Sequence, residues 1–150
     1  YYMIYQKIGL MGTYIGMIIV YLIFNLAFTV WMLKGFIESV PVELSEAARV
    51  DGAARLTAFF RVEAPLMKGG IAATAILCFI TVWNEFLLAL VLTSFRTQTT
   101  PVAIQNFISF EGIRWGEIAA AGVLVAAPAV ILGIAVRKYL ITGLTMGAVK

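Results

Sequence analysis

Between Lys7 and Lys34 the chain runs from Ile8 to Leu33 without one charged residue. A second run, Gly69 to Phe95, holds a single charge, Glu85, and a third, Ile118 to Val136, holds none between Glu117 and Arg137. A helix that crosses a bilayer needs about 20 consecutive, mostly apolar residues. Each run therefore predicts a spanning helix. The expected fold class is all-α, a polytopic membrane helix bundle of three transmembrane helices at about residues 8–33, 69–93 and 118–136. Pro128 lies inside the third and predicts a kink, which membrane helices tolerate because neighbours re-satisfy the freed carbonyl.

Composition excludes the soluble alternative. Hydrophobic residues make up 62% of the 150 and charged residues 13%, about half the charge of an ordinary soluble domain. A water-soluble fold of this length has too little interior for that much apolar surface. The net charge of +3 is small and dispersed, so nucleic acid is not implied. Cys78 is the single cysteine, which excludes a disulfide framework within the chain. The chain opens on Tyr1, and we expect it to be a segment from inside a longer protein.

Lys and Arg concentrate on the cytoplasmic side of membrane proteins. The 34–68 segment carries Lys34, Arg49, Arg55, Arg61 and Lys68, and the tail carries Arg137, Lys138 and Lys150. With three spans these share one side, against Lys7, Arg96 and Arg114 on the other. Eight against three predicts a cytoplasmic insert and tail, with the 94–117 loop outside. Tyr1, Tyr2, Tyr5 and Trp115 fit an outer aromatic belt, and Trp31 and Phe36 an inner one.

Within the spans, Gly12 and Gly16 form a Gly-x-x-x-Gly pair suited to close helix packing. Asn25 and Thr29 stand one turn apart and are expected to bond across to a neighbour or along their own helix. In an unbroken second span, Thr74, Cys78, Thr81 and Glu85 follow a 4-3-4 spacing and share one face, with Asn84 beside it. Glu85 then lies about 24 Å along the helix from Gly69. An intramembrane carboxylate costs on the order of 3 kcal/mol, so it must face protein or water. That makes Thr81, Asn84 and Glu85 candidates for a solute pathway, or Glu85 an interhelical hydrogen-bond acceptor. Ala119, Gly122, Ala126, Ala129 and Gly133 form a small-residue stripe on the third span, expected to pack on a sister helix.

The polar insert at 38–68 reads as helix, turn, helix. Ser39 is expected to cap the first helix and Pro41 to stand in its first turn. Gly52 can take the left-handed conformation that ends a helix. Asp51 is expected to cap the second helix and to pair with Arg55, and Pro65 to close that helix. Phe59 and Phe60, adjacent in a polar loop, need cover from the inner span ends or from a partner.

This insert resembles the "EAA" loop of permease subunits in binding-protein-dependent ABC importers. Glu46, Ala47, Ala48, Asp51, Gly52 and Pro65 match its pattern; Ala64 departs from the usual Leu before the Pro. Trp83-Asn84-Glu85-Phe86, Pro101, Trp115-Gly116 and the tail Gly143-Leu144-Thr145-Met146-Gly147-Ala148-Val149-Lys150 resemble the carbohydrate-uptake, maltose-type members. The resemblance implies the C-terminal half of a six-span subunit in a prokaryotic plasma (inner) membrane. It implies a coupling helix in the cytoplasmic loop that docks in a groove of a separate ABC ATPase subunit. It further implies a second, related permease subunit, an extracytoplasmic solute-binding protein and a sugar or oligosaccharide substrate, or another small solute. No cofactor is expected in this chain, because ATP and Mg would bind the ATPase partner.

The residues argue against other classes. No Gly-x-x-x-x-Gly-Lys-Ser/Thr phosphate loop is present. The chain has no His, and Asp51 is its one Asp, so neither an enzyme with a paired-Asp or Ser–His site nor a His metal site is expected. An ion-coupled transporter or channel would need more buried ionisable groups than Glu85. A purely structural subunit would leave the 46–66 pattern unused.

Overall fold

The computed structural model describes residues 2–109 and 112–146, with the backbone alone for 135–146. Among the described residues the elements are helices but for one two-residue ladder. It divides into two compact units. One joins residues 1–25 to 79–132; the other joins 26–78 to the chain from Gly133 onward.

In the first unit, α1 (Tyr2–Lys7) is followed by a turn and then by α2 (Tyr14–Glu38), which continues into the second unit. The helix expected from Ile8 therefore starts at Tyr14. The cause is glycine. Gly12 has φ +68°, a region open to glycine without strain. Its N–H donates to Leu92 O at 2.9 Å, and its carbonyl accepts from Thr97 Oγ1 at 3.2 Å. Gly12 thus turns the chain, and the Gly12–Gly16 helix-packing pair does not form. Gly16 instead sits under Tyr5, whose hydroxyl donates to Gly16 O at 3.1 Å. Tyr5 is buried, which removes it from the expected outer belt, whereas Trp115 and Trp31 are exposed.

A core of Tyr5, Met17, Val20, Ala89, Leu92 and Val102 joins these elements to α7 (Leu87–Leu92) and α8 (Thr100–Ile104). After a short 3-10 turn, β1 (Ile108–Ser109) pairs antiparallel with β2 (Gly112–Ile113). Arg114 then stacks over Phe107 at 5.8 Å and bonds Glu117 in the first turn of α9 (Trp115–Met146).

Helix α9 extends beyond the expected 118–136 at both ends and continues through Pro128. Proline has no N–H to give and crowds the carbonyls one turn back. The Trp83 indole N–H donates to Val125 O in that turn, at 2.9 Å. Of the small-residue stripe, Ala119, Gly122 and Ala126 are exposed. The tail motif from Gly147 lies outside the described residues, as do the side chains of Arg137 and Lys138.

The second unit contains the end of α2, the polar insert and most of α6 (Lys68–Trp83). Phe36 is half-buried and packs against Gly70. Thr29 Oγ1 lies 3.2 Å from Cys78 Sγ, across to a neighbour as expected, and Asn25 Nδ2 bonds back along its own helix to Tyr21 O at 3.0 Å.

Among the described residues two helices, Tyr14–Glu38 and Trp115–Ile134, are long and apolar enough to cross a membrane, and a third span is present if the bent pair Arg55–Leu66 and Lys68–Trp83 counts as one. The second expected span is not one straight helix. α6 has 16 residues, about 24 Å at 1.5 Å per residue against a core of about 30 Å. It meets the preceding helical segment, Arg55–Leu66, at a 75° bend, and it ends at Trp83. The four-residue seam expected on one face therefore stops at Thr81, and Glu85 lies beyond the end of the helix.

Candidate functional site

Two places bring the sequence-predicted site residues into definite geometry. The first is the insert. α3 (Val42–Val50) begins after Pro41, which occupies the cap position without a side-chain bond. Ser39 does not cap it. Ser39 Oγ donates to Phe36 O at 2.7 Å and so finishes α2. Glu43 in the first turn and Arg49 in the last complement the helix dipole.

The end of α3 follows from Gly52, at φ +87°. Gly52 N–H donates to Arg49 O and Ala53 N–H to Ala48 O, each at 3.0 Å. This is the paired closure that satisfies the last carbonyls of a helix when the next residue is left-handed. A Cβ at Gly52 would meet nothing within 4 Å, so the requirement for glycine is one of backbone conformation alone.

The next helix starts after Ala54, not under an Asp51 cap, and no Asp51–Arg55 ion pair forms among the described residues. It comprises α4 (Arg55–Ala58), a five-residue π turn (Phe59–Glu63) and α5 (Ala64–Leu66). Pro65 does not close it; the helix runs on to Leu66. The wider π turn stands where the proline ring would crowd the carbonyl four residues earlier, at Arg61.

Ser45 Oγ donates to the Glu63 carboxylate and ties α3 to this helix. Phe59 and Phe60 meet edge to face at 5.1 Å, with Phe59 half-buried and Phe60 exposed. Val50 is 88% exposed, Leu56 73% and Phe60 68%, so large apolar groups of the insert are left uncovered in this chain. Glu46, Ala47, Asp51 and Gly52 are exposed and Ala48 half-buried on α3 and its turn, while Pro65 lies at the far end of the following helix.

The second place is the break after Trp83. Asn84 Nδ2 folds back to Ile80 O at 2.8 Å, and Thr81 is exposed one turn earlier. The Glu85 carboxylate accepts from Leu88 N–H at 2.7 Å, Ala89 N–H at 3.1 Å and Tyr21 hydroxyl at 3.0 Å. Sequence reasoning missed Tyr21. The signal was available: a tyrosine hydroxyl in an apolar run needs a polar partner. It also missed the Ser45–Glu63 bond, because side-chain pairs 18 residues apart leave no periodic trace.

A helical chain with spanning-length apolar helices, a polar helical insert and a broken apolar helix has the features of a polytopic membrane protein. Residues 2–145 match the family described as "Binding-protein-dependent transport system inner membrane component", and the chain belongs to that family. It is 39% identical to the diacetylchitobiose uptake system permease protein DasC of Streptomyces coelicolor, over 99% of this chain and 54% of that protein. It is 37% identical to the trehalose/maltose transport system permease protein MalG of Thermococcus litoralis, over 97% of this chain and 53% of that protein. With the trehalose transport system permease protein SugB of Mycobacterium tuberculosis, identity is 38% over 97% and 54%. The chain thus spans about half the length of these relatives.

Proposed function

We propose that this chain is the C-terminal portion of a permease subunit in an ATP-driven, binding-protein-dependent importer, and that its solute is a sugar or oligosaccharide. The sugar assignment is carried from the relatives, whose names specify diacetylchitobiose, trehalose and maltose. The insert faces the cytoplasm, and α3 docks on a separate ATPase subunit. A second, related permease completes the pathway, and an extracytoplasmic binding protein delivers solute.

The observation that carries the coupling assignment is the closure of α3 at Gly52. A soluble motor needs a rigid handle, and a short helix locked by two end bonds and tied to its neighbour through Ser45 and Glu63 provides one. The exposed Val50, Leu56 and Phe60 supply apolar area for the contact. The handle leads through the 75° bend into α6, so a displacement of α3 is conveyed towards the break where Thr81, Asn84 and Glu85 border the pathway.

The test is Gly52→Val in the full-length subunit. A β-branched residue at positive φ is strongly disfavoured, while the open space around Gly52 spares the packing. The variant is expected to insert and pair with its partner permease normally. It should lose co-purification with the ATPase subunit, and with it solute uptake in vesicles. Native ATPase retention together with native uptake would refute the coupling role.

A further inference from the structure

We infer that Glu85 and Tyr21 form a clamp that holds the second apolar helix in its broken form, and that Glu85 is a positioning residue and not a solute ligand.

Residues 84–86 are Asn-Glu-Phe, with neither Gly nor Pro to interrupt a helix, and the sequence on both sides is apolar and helix-compatible. In an unbroken helix the N–H groups of Leu88 and Ala89 would bond to the backbone carbonyls of Asn84 and Glu85, four residues earlier. Here both go to the Glu85 carboxylate, at 2.7 and 3.1 Å. The side chain therefore competes with the backbone for the same two donors, and it wins. On the other side of the break, the Ile80 carbonyl keeps its helical bond from the Asn84 backbone N–H at 3.1 Å and accepts the Asn84 side-chain amide as well. The chain closes tightly there, with Glu85 N–H reaching Val82 O at 3.2 Å.

Tyr21 decides which arrangement persists. Its hydroxyl reaches the carboxylate from α2, 64 residues away in sequence, at 3.0 Å. No Lys or Arg pairs with Glu85 among the described residues, where the ion pairs are Lys34–Glu38 and Arg114–Glu117. Among the described residues, N–H and O–H donors alone hold the carboxylate. A carboxylate has about four acceptor positions, and three of them are filled from within the chain. That leaves little of the group to bind a solute. It also means that straightening the helix would strip two of the three donors at once, leaving a charge in an apolar setting that only Tyr21 stabilises. The element thus has two discrete hydrogen-bonding schemes, which is what a hinge requires.

The test uses the full-length subunit in its assembled complex, with Cys78→Ser and nitroxide labels at Thr81→Cys and Val91→Cys. An unbroken helix separates these positions by about 15 Å. Glu85→Leu should move the label distance to that value, and Tyr21→Phe should move part of the population the same way. With radiolabelled trehalose and maltose as probes, Tyr21→Phe should lower the maximal uptake rate severalfold. The half-saturating concentrations and the trehalose-to-maltose ratio should be unchanged. An unaltered label distance in both variants overturns the clamp, as does a change confined to half-saturation or solute preference. The inference rests on the permease reading for its uptake measurements only. The distances are read with or without transport, so failure of that reading is distinguishable from failure of the clamp.

Discussion

Phe36 and Gly70 show how one missing side chain sets a contact between two helices. A Cβ on Gly70 would lie 2.2 to 2.5 Å from three atoms of the Phe36 ring, so only glycine admits the ring at this depth. Alanine would gain about 1 kcal/mol of helix propensity, but overpacking costs about 1–3 kcal/mol, and the second effect wins. Gly70→Ala should therefore lower the thermal stability of the detergent-purified subunit. Adding Phe36→Leu should restore part of the loss, because the smaller side chain vacates the overlap. A Gly70→Ala protein as stable as the native one would mean that the ring moves aside without penalty. Gly52 makes the opposite case: its surroundings are open, and only its φ requires glycine. Both glycines are visible in the sequence, but their reasons differ, and only Gly52 declared its reason through position, at the end of a helical pattern.

At the scale of elements, the insert is two short helices that need each other. A nine-residue helix such as α3 is marginal alone. Its anchor is the bond from Ser45 to Glu63 on the π turn. The charged acceptor makes that bond worth about 1 kcal/mol or more. Ser45→Ala should raise the rate of tryptic cleavage after Arg49 and Arg55 about fivefold, since 1 kcal/mol changes a local opening equilibrium by that factor. Equal cleavage rates would show that the two helices are held by other contacts. The helix–turn–helix pattern was legible from Glu43, the two alanines and Gly52. The caps were not: Ser39 and Asp51 both have the chemistry of an N-cap, and in the structure neither performs it.

For the whole molecule, the asymmetry of Lys and Arg yields a topology that cysteine labelling tests directly. On a Cys78→Ser background in the full-length subunit, Ser45→Cys should react only from the cytoplasmic side and Ser109→Cys only from outside. Ser109 is exposed on β1, and Ser45, half-buried on α3, becomes reachable as that helix opens once its bond to Glu63 is removed. Reaction of both from one face would rule out an odd number of crossings between them.

The sequence by itself determined the membrane class, the helical character and the polar insert, because charge-free length and composition act locally and sum along the chain. The Glu46–Gly52 pattern likewise pointed to the transport family, which the match over residues 2–145 then established. Where each helix starts and stops inside the apolar runs was decided by tertiary contacts. Hydropathy alone reads 69–93 as one helix; the carboxylate of Glu85, reaching two backbone amides and Tyr21, divides it. The run from Ile8 begins as a turn because Gly12 is bonded to Leu92 and Thr97, some 80 residues later. Such bonds join residues far apart in sequence and carry no periodicity. Only the folded chain, which brings these donors and acceptors together, selects them over the helical alternative.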